Sequence, residues 1–180
     1  IFIILLKKVM KYLYLTLILA TMNSFGQLVK VDYADGNQKL EGFFAKAQKA
    51  NPKKVGVIVL PAWMGVDAHA KESAENLSKL GYHAFVADIY GVGNNPKNTG
   101  EAGKNAGFYK NNPAEYQKRI QLAIDQLVKV GADKNQIAVI GYCFGGTGAI
   151  EAARGNLNVK GVVSFHGGLG KAANSPTNEI

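Results

Sequence analysis

The 180-residue chain is poor in the side chains that most often carry chemistry: it has one cysteine, Cys143, three histidines and one tryptophan. A single cysteine excludes an intrachain disulfide and a cysteine-rich metal centre. No His, Cys, Asp or Glu spacing of the metal-ligand kind is present either, so neither a metal nor another cofactor is expected. Acidic residues are scarce, with 13 against 21 lysines and arginines, giving a formal charge of +8. Three of those lysines precede Gln27 and no acidic residue does, which leaves +5 on the rest. The remaining positive residues are scattered, from Lys46 through Lys79 to Lys118, and lack interleaved stacking aromatics. That pattern argues against nucleic-acid binding. Internal repeats, low-complexity tracts and a second domain boundary are also missing. At 47% hydrophobic and 19% charged residues, the chain suits one globular domain.

What is present begins with an N-terminal stretch of the targeting kind. Lys7, Lys8 and Lys11 precede the apolar residues 12–20, and the smaller, more polar Thr21, Asn23, Ser24 and Gly26 follow. These are the three regions of a secretory signal peptide. Residues 1–26 are therefore expected to be a signal, with Met10 as the start and residues 1–9 as upstream read-through. An uncleaved anchoring helix is the alternative, interrupted by its lysines. Either way residues 27–180 are expected to be exported, periplasmic or secreted, and with a cleaved signal to keep no stable membrane association. A lone thiol in such a compartment is open to oxidation, which favours a use for it. Residues 167–180 stop soon after a strand without a closing helix, so the domain is expected to be C-terminally truncated.

Strand and helix signals alternate along the remainder. Residues 28–33 and 40–47 are short β-type runs around Asp35-Gly36-Asn37, a hairpin turn signal. Residues 55–60 form a continuous apolar run, as in a strand buried on both faces. Residues 67–80 place Ala70, Ala74, Leu77 and Leu80 at helical spacing, and Gly81 ends the pattern. Residues 83–88 read as a second buried strand and residues 94–107 as a polar, glycine-containing loop. Pro113 opens a helix with an apolar stripe of Ile120, Ile124, Leu127 and Val128, closed by Gly131. Strands at 137–140 and 159–165 flank a last helix at about 145–154. This alternation predicts a three-layer, mostly parallel sheet with helices on both faces. In such sheets ligands bind beyond the carboxyl ends of the strands. The segments 61–67, 88–93, 141–146 and 164–168 converge on that rim.

The most telling of them is Val139-Ile140-Gly141-Tyr142-Cys143-Phe144-Gly145-Gly146. An apolar strand runs into Gly-x-Cys-x-Gly and then into a helix, which is the form of a nucleophile elbow. The sharp turn strains the apex residue and demands small neighbours, supplied by Gly141 and Gly145. The apex also stands at a helix N-terminus, where free amides and the helix dipole favour a thiolate or a developing oxyanion. A lone cysteine is more often an inert core residue, and it is this setting that singles out Cys143.

Together with Val57-Ile58-Val59-Leu60-Pro61-Ala62-Trp63-Met64-Gly65 and with Gly81-Tyr82 and Ala87-Asp88-Ile89-Tyr90-Gly91, the elbow resembles the dienelactone hydrolase family of α/β-hydrolases. The likeness runs from about Gln27 to the end of the chain, in the family's order and approximate spacing. It implies a Cys-His-Asp triad in which the Cys143 thiolate attacks an ester or lactone carbonyl and an acyl-enzyme is released by water. By the elbow pattern the Phe144 amide donates to the oxyanion, and Trp63 occupies the position of the second donor. Trp63, Met64, Tyr90, Phe108, Tyr109 and His166 are candidate pocket walls. His166 follows the elbow too soon to be the triad base, so the triad Asp and His are expected beyond Ile180. His69 reads as a helix-surface residue, His83 as a strand start, Asp88 as a turn cap and Glu151 as solvated or paired with Arg154. The chain departs from the family pattern twice. Ala62 stands where a glutamate commonly helps activate the cysteine, and residues 90–93 lack the arginine that holds a dienelactone carboxylate. The expected function is hydrolysis of a small ester or lactone, with a thioester also open. A non-catalytic binding protein on the same scaffold is the alternative from another class.

Overall fold

The turn signal Asp35-Gly36-Asn37 joins β1 (Val29–Asp35) to β2 (Gln38–Ala45), which pair antiparallel from Val29 opposite Phe44 to Asp35 opposite Gln38. Gly36 takes φ +57°, the left-handed conformation such a tight turn needs. The computed structural model describes residues 28–171 and 173, so the expected signal at residues 1–26 lies outside the described residues. Four further strands are β3 (Gly56–Leu60), β4 (His83–Val86), β5 (Ile137–Tyr142) and β6 (Gly161–Phe165). They complete one six-stranded sheet in the order β1-β2-β4-β3-β5-β6. β4, β3, β5 and β6 run parallel, and β2 joins β4 antiparallel. All five residues of β3 are buried, as its unbroken apolar run predicts for a central strand.

Helix α1 (Ala68–Lys79) is capped by Asp67, whose carboxylate accepts from the Ala70 amide at 2.8 Å. Its Ala70 and Ala74 pack on Val59, Ala84 and Val86 on one face of the sheet. Helices α3 (Pro113–Lys129) and α4 (Phe144–Arg154) cover the other face. There Ile120, Ile124, Leu127, Ala149 and Ala152 meet Ile58, Leu60, Phe85 and Val139. Three layers result, in the α/β-hydrolase arrangement. No helix among the described residues is long and apolar enough to cross a membrane.

One expected loop is a helix. Residues 99–111, of which 99–107 were expected to be irregular, form α2 (Thr99–Asn111). Three glycines and no large aliphatic residue hide its period, because its buried face is carried by Ala102, Ala106 and Tyr109. A reciprocal cap starts it: Asn98 accepts from the Glu101 amide at 2.9 Å, and the Glu101 carboxylate accepts from the Lys97 amide at 2.8 Å. Of the two expectations for Glu151, the pairing with Arg154 holds and the solvated one does not. Glu151 is buried and bonds Arg154 at 2.9 Å, with Gln117 Nε2 at 3.3 Å.

The connections fix where a ligand can sit. From β3 the chain crosses to β4 on one side, and from β4 it passes over β3 to β5 on the other. That reversal opens a crevice at the carboxyl ends of β3 and β5.

Candidate active site

The carboxyl end of β5 runs straight into α4 through Cys143, the helix N-cap, at φ +53° and ψ −112°. A positive φ on a side-chain-bearing residue is costly and persists only where its surroundings enforce it. Those surroundings are backbone on backbone. A Cβ on Gly141 would collide with the Gly145 carbonyl, and one on Gly145 would collide with the Leu60 carbonyl and crowd that of Pro61. The start of α4 is thereby pressed against the end of β3. The Cys143 amide donates to the Phe165 carbonyl at 2.9 Å, and the Cys143 carbonyl accepts from the Thr147 amide at 3.2 Å. Cys143 as a residue is partly exposed.

Phe144 is buried with its ring in a column of aromatics. It stacks on Tyr116 at 4.7 Å and on Tyr90 at 5.5 Å, with interplanar angles of 11° and 21°. The Tyr116 hydroxyl donates to the Phe144 carbonyl at 3.0 Å, and the Tyr90 hydroxyl donates to the Trp63 carbonyl at 2.9 Å. Burial raises the pKa of both phenols. Nearby Tyr109 and Cys143 raise that of Tyr90 further, so it stays a neutral donor. Tyr116 was hidden in the sequence among the apolar residues of α3. Its position four residues before Ile120 gives the face but not the partner.

Trp63 and Met64 follow β3 in an exposed turn, closed by the Gly65 amide donating to the Ala62 carbonyl at 3.0 Å with Gly65 at φ +84°. Among the described residues, neither the Trp63 nor the Phe144 backbone amide has a protein acceptor. The structure thus brings Cys143, Phe144 and Tyr90 together and, through Tyr90, ties in Trp63.

Beside them lies a cavity of about 430 Å³ lined by Tyr90, Asn94, Lys104, Asn105, Phe108 and Tyr109, among others. Tyr90, Phe108 and Tyr109 line it among mostly polar residues, whereas Cys143, Trp63, Met64 and His166 do not. None of the three histidines hydrogen-bonds the Cys143 sulfur. His69 packs edge-on to Tyr142, His83 accepts from the Ala47 amide, and His166 is exposed at φ +46°. Asp88 is the turn cap that its position suggests. Its carboxylate accepts from Gly91 N at 2.8 Å and Glu41 N at 3.0 Å, while burial raises its pKa against these bonds.

Comparison with known proteins converges on one family. Residues 40–180 match the model of the dienelactone hydrolase family. A Bradyrhizobium protein described as a probable 2-oxo-3-(5-oxofuran-2-ylidene)propanoate lactonase is 29% identical over 114 residues, covering 62% of this chain and 45% of that one. Among solved structures, m3DLH has a TM-score of 0.76 and 31% identity over 82% of this chain and 62% of its own. A dienelactone hydrolase-like promiscuous phosphotriesterase from metagenomic libraries has a TM-score of 0.73 and 34% identity, over 79% of this chain and 60% of its own. The chain therefore spans less than two thirds of the length of each of these relatives. With sheet order, elbow and matched residues in agreement, this chain belongs to the dienelactone hydrolase family of α/β-hydrolases.

Proposed function

We propose that the protein hydrolyses a small carboxylic ester or lactone with Cys143 as nucleophile. The observation that carries this is the strained apex, with Cys143 at φ +53° on the cap of α4 where β3 and β5 end. The Cys143 sulfur adds to the carbonyl carbon as its proton passes to a base. The carbonyl oxygen becomes an oxyanion facing the free amides of Phe144 and Trp63. Collapse expels the alcohol, which takes the proton from the base and leaves a thioester on Cys143. Water, deprotonated by the same base, then attacks the thioester, freeing the acid and returning the thiol. None of the described histidines bonds the Cys143 sulfur, so the base is assigned to none of them. The leader-like pattern of residues 1–26 supports an exported location for the reaction.

The full-length protein is expected to cleave p-nitrophenyl acetate, and Cys143→Ala to lower kcat on the order of a thousandfold or more. Equal rates in the two proteins sink the nucleophile assignment. No turnover by the unmodified protein would favour the second reading, a binding protein on this scaffold, for which Ala62 in place of an acidic residue speaks.

A further inference from the structure

We infer that Tyr90 is a positioning residue that holds the two halves of the oxyanion hole in register, one end of its side chain on each half. The inference rests on the function proposed above, since it takes the Phe144 and Trp63 amides as the donors.

The half that needs holding is the Trp63 turn. Trp63 is 38% exposed, so burial anchors it little. What fixes it is its backbone, through the carbonyls on either side of Trp63. The Ala62 carbonyl accepts from Gly65 N at 3.0 Å, and the Trp63 carbonyl accepts from the Tyr90 hydroxyl at 2.9 Å. In a planar trans peptide the N–H points opposite to the C=O. Tying the Ala62 carbonyl therefore aims the Trp63 amide, and tying the Trp63 carbonyl stops the residue from rotating about its own backbone. The first bond is a turn within the loop and moves with it. The second reaches the rigid body of the protein, because Tyr90 is 3% exposed and lies in the main core.

The other half is Phe144, whose ring lies against that of Tyr90 at 5.5 Å and is pinned from behind by Tyr116. A single stiff side chain with few rotatable bonds thus spans from the helix that carries one donor to the loop that carries the other. Gly65 completes the fit: a Cβ there would stand 3.4 Å from the Tyr90 ring and would crowd Asn95 more closely still. A phenylalanine at 90 would keep the stack and release the loop. The Trp63 carbonyl would lose its partner, and the second donor would be free to drift from where charge develops.

The test uses the full-length protein with Tyr90→Phe and two readouts. One is kcat and KM on p-nitrophenyl acetate. The other is the rate of Cys143 alkylation by iodoacetamide, a displacement at a saturated carbon that creates no oxyanion. Expected is a fall in kcat on the order of tenfold, a fraction of the effect of deleting a donor outright, with KM and the alkylation rate within about twofold of the unmodified protein. An unchanged kcat overturns the inference. So does a parallel fall in hydrolysis and alkylation, which would make Tyr90 a support of the elbow rather than of the hole. The two readings fail separately: hydrolysis by Cys143→Ala at the unmodified rate removes the nucleophile. Tyr90→Phe at the unmodified rate with Cys143→Ala inactive removes the positioning role alone.

Discussion

Helices α4 and α2 each carry three glycines, and the residue means something different in each. In α4, a side chain at Gly145 would strike the backbone of Leu60 and Pro61, one at Gly146 would strike Ser164 and Gly167, and one at Gly148 would strike the Tyr116 ring and hydroxyl. In α2, Gly103 and Gly107 have nothing within 4 Å of where a Cβ would stand, and Gly100 meets only Asn98. In the first set Gly145 lets the start of α4 press against the end of β3, Gly146 admits the backbone of Gly167, and Gly148 admits the Tyr116 ring. The second set brings only the loss of helix propensity, about 1 kcal/mol per glycine relative to alanine. Spacing cannot separate the two, since Gly145 and Gly103 both sit within the first turns of their helices. What separates them is the distance to the next piece of chain. The contrast also bears on function, because the rigid helix carries the thiol and the intrinsically weaker one carries Phe108 and Tyr109 of the cavity wall.

Gly145→Ala is the strongest way to break the contrast. The added methyl would overlap two main-chain carbonyls that cannot move without opening the sheet. A loss of more than about 4 kcal/mol, or no folded protein at all, is expected in urea unfolding of the full-length protein. A loss below about 1 kcal/mol would show that α4 can shift away from β3, and the contrast with α2 would fall. Next in size is Asn98→Ala, which deletes the cap that starts α2 and is expected to cost about 1 kcal/mol by the same measurement. The N-cap of α4, Cys143, makes no side-chain cap bond, so Cys143→Ala is expected to cost less than Asn98→Ala. The reverse ranking would mean that α2 is held by its buried face alone.

The same contrast explains what could be read in the sequence. The central strands were legible because burial on both faces writes an unbroken apolar run, as in β3, and α3 because large aliphatic residues mark its stripe. The elbow was legible for a different reason: its backbone constraint forces glycine at fixed offsets from the apex. Helix α2 was not, because its buried positions are alanines and a tyrosine among polar residues, and its cap is two ordinary polar side chains. The aromatic column was invisible as a unit. Tyr90, Tyr116 and Phe144 come from three segments, and a hydroxyl aimed at a carbonyl of another loop leaves no mark in the local pattern. The turn role of Asp88 is legible because an aspartate three residues before Gly91 bonds its own turn; its second bond, to Glu41 of β2, is tertiary and leaves no local mark.

The smallest effect sharpens the comparison from the other side. Gly103 is exposed, lies within α2 and has open space around its missing side chain. Alanine there removes backbone freedom from the unfolded chain and adds helix propensity without meeting a neighbour. Gly103→Ala is therefore expected to stabilise the protein by about 0.5–1 kcal/mol, which for a chain of this size raises Tm by about 1–4 °C. Gly146→Ala, the same chemical change in the other helix, is expected to lower it. Opposite signs for one substitution in two glycine-bearing helices would show that contact with Ser164 and Gly167, and not helix position, sets the cost. A fall in Tm for Gly103→Ala would instead mean that α2 depends on a conformation or contact that its open surroundings do not reveal.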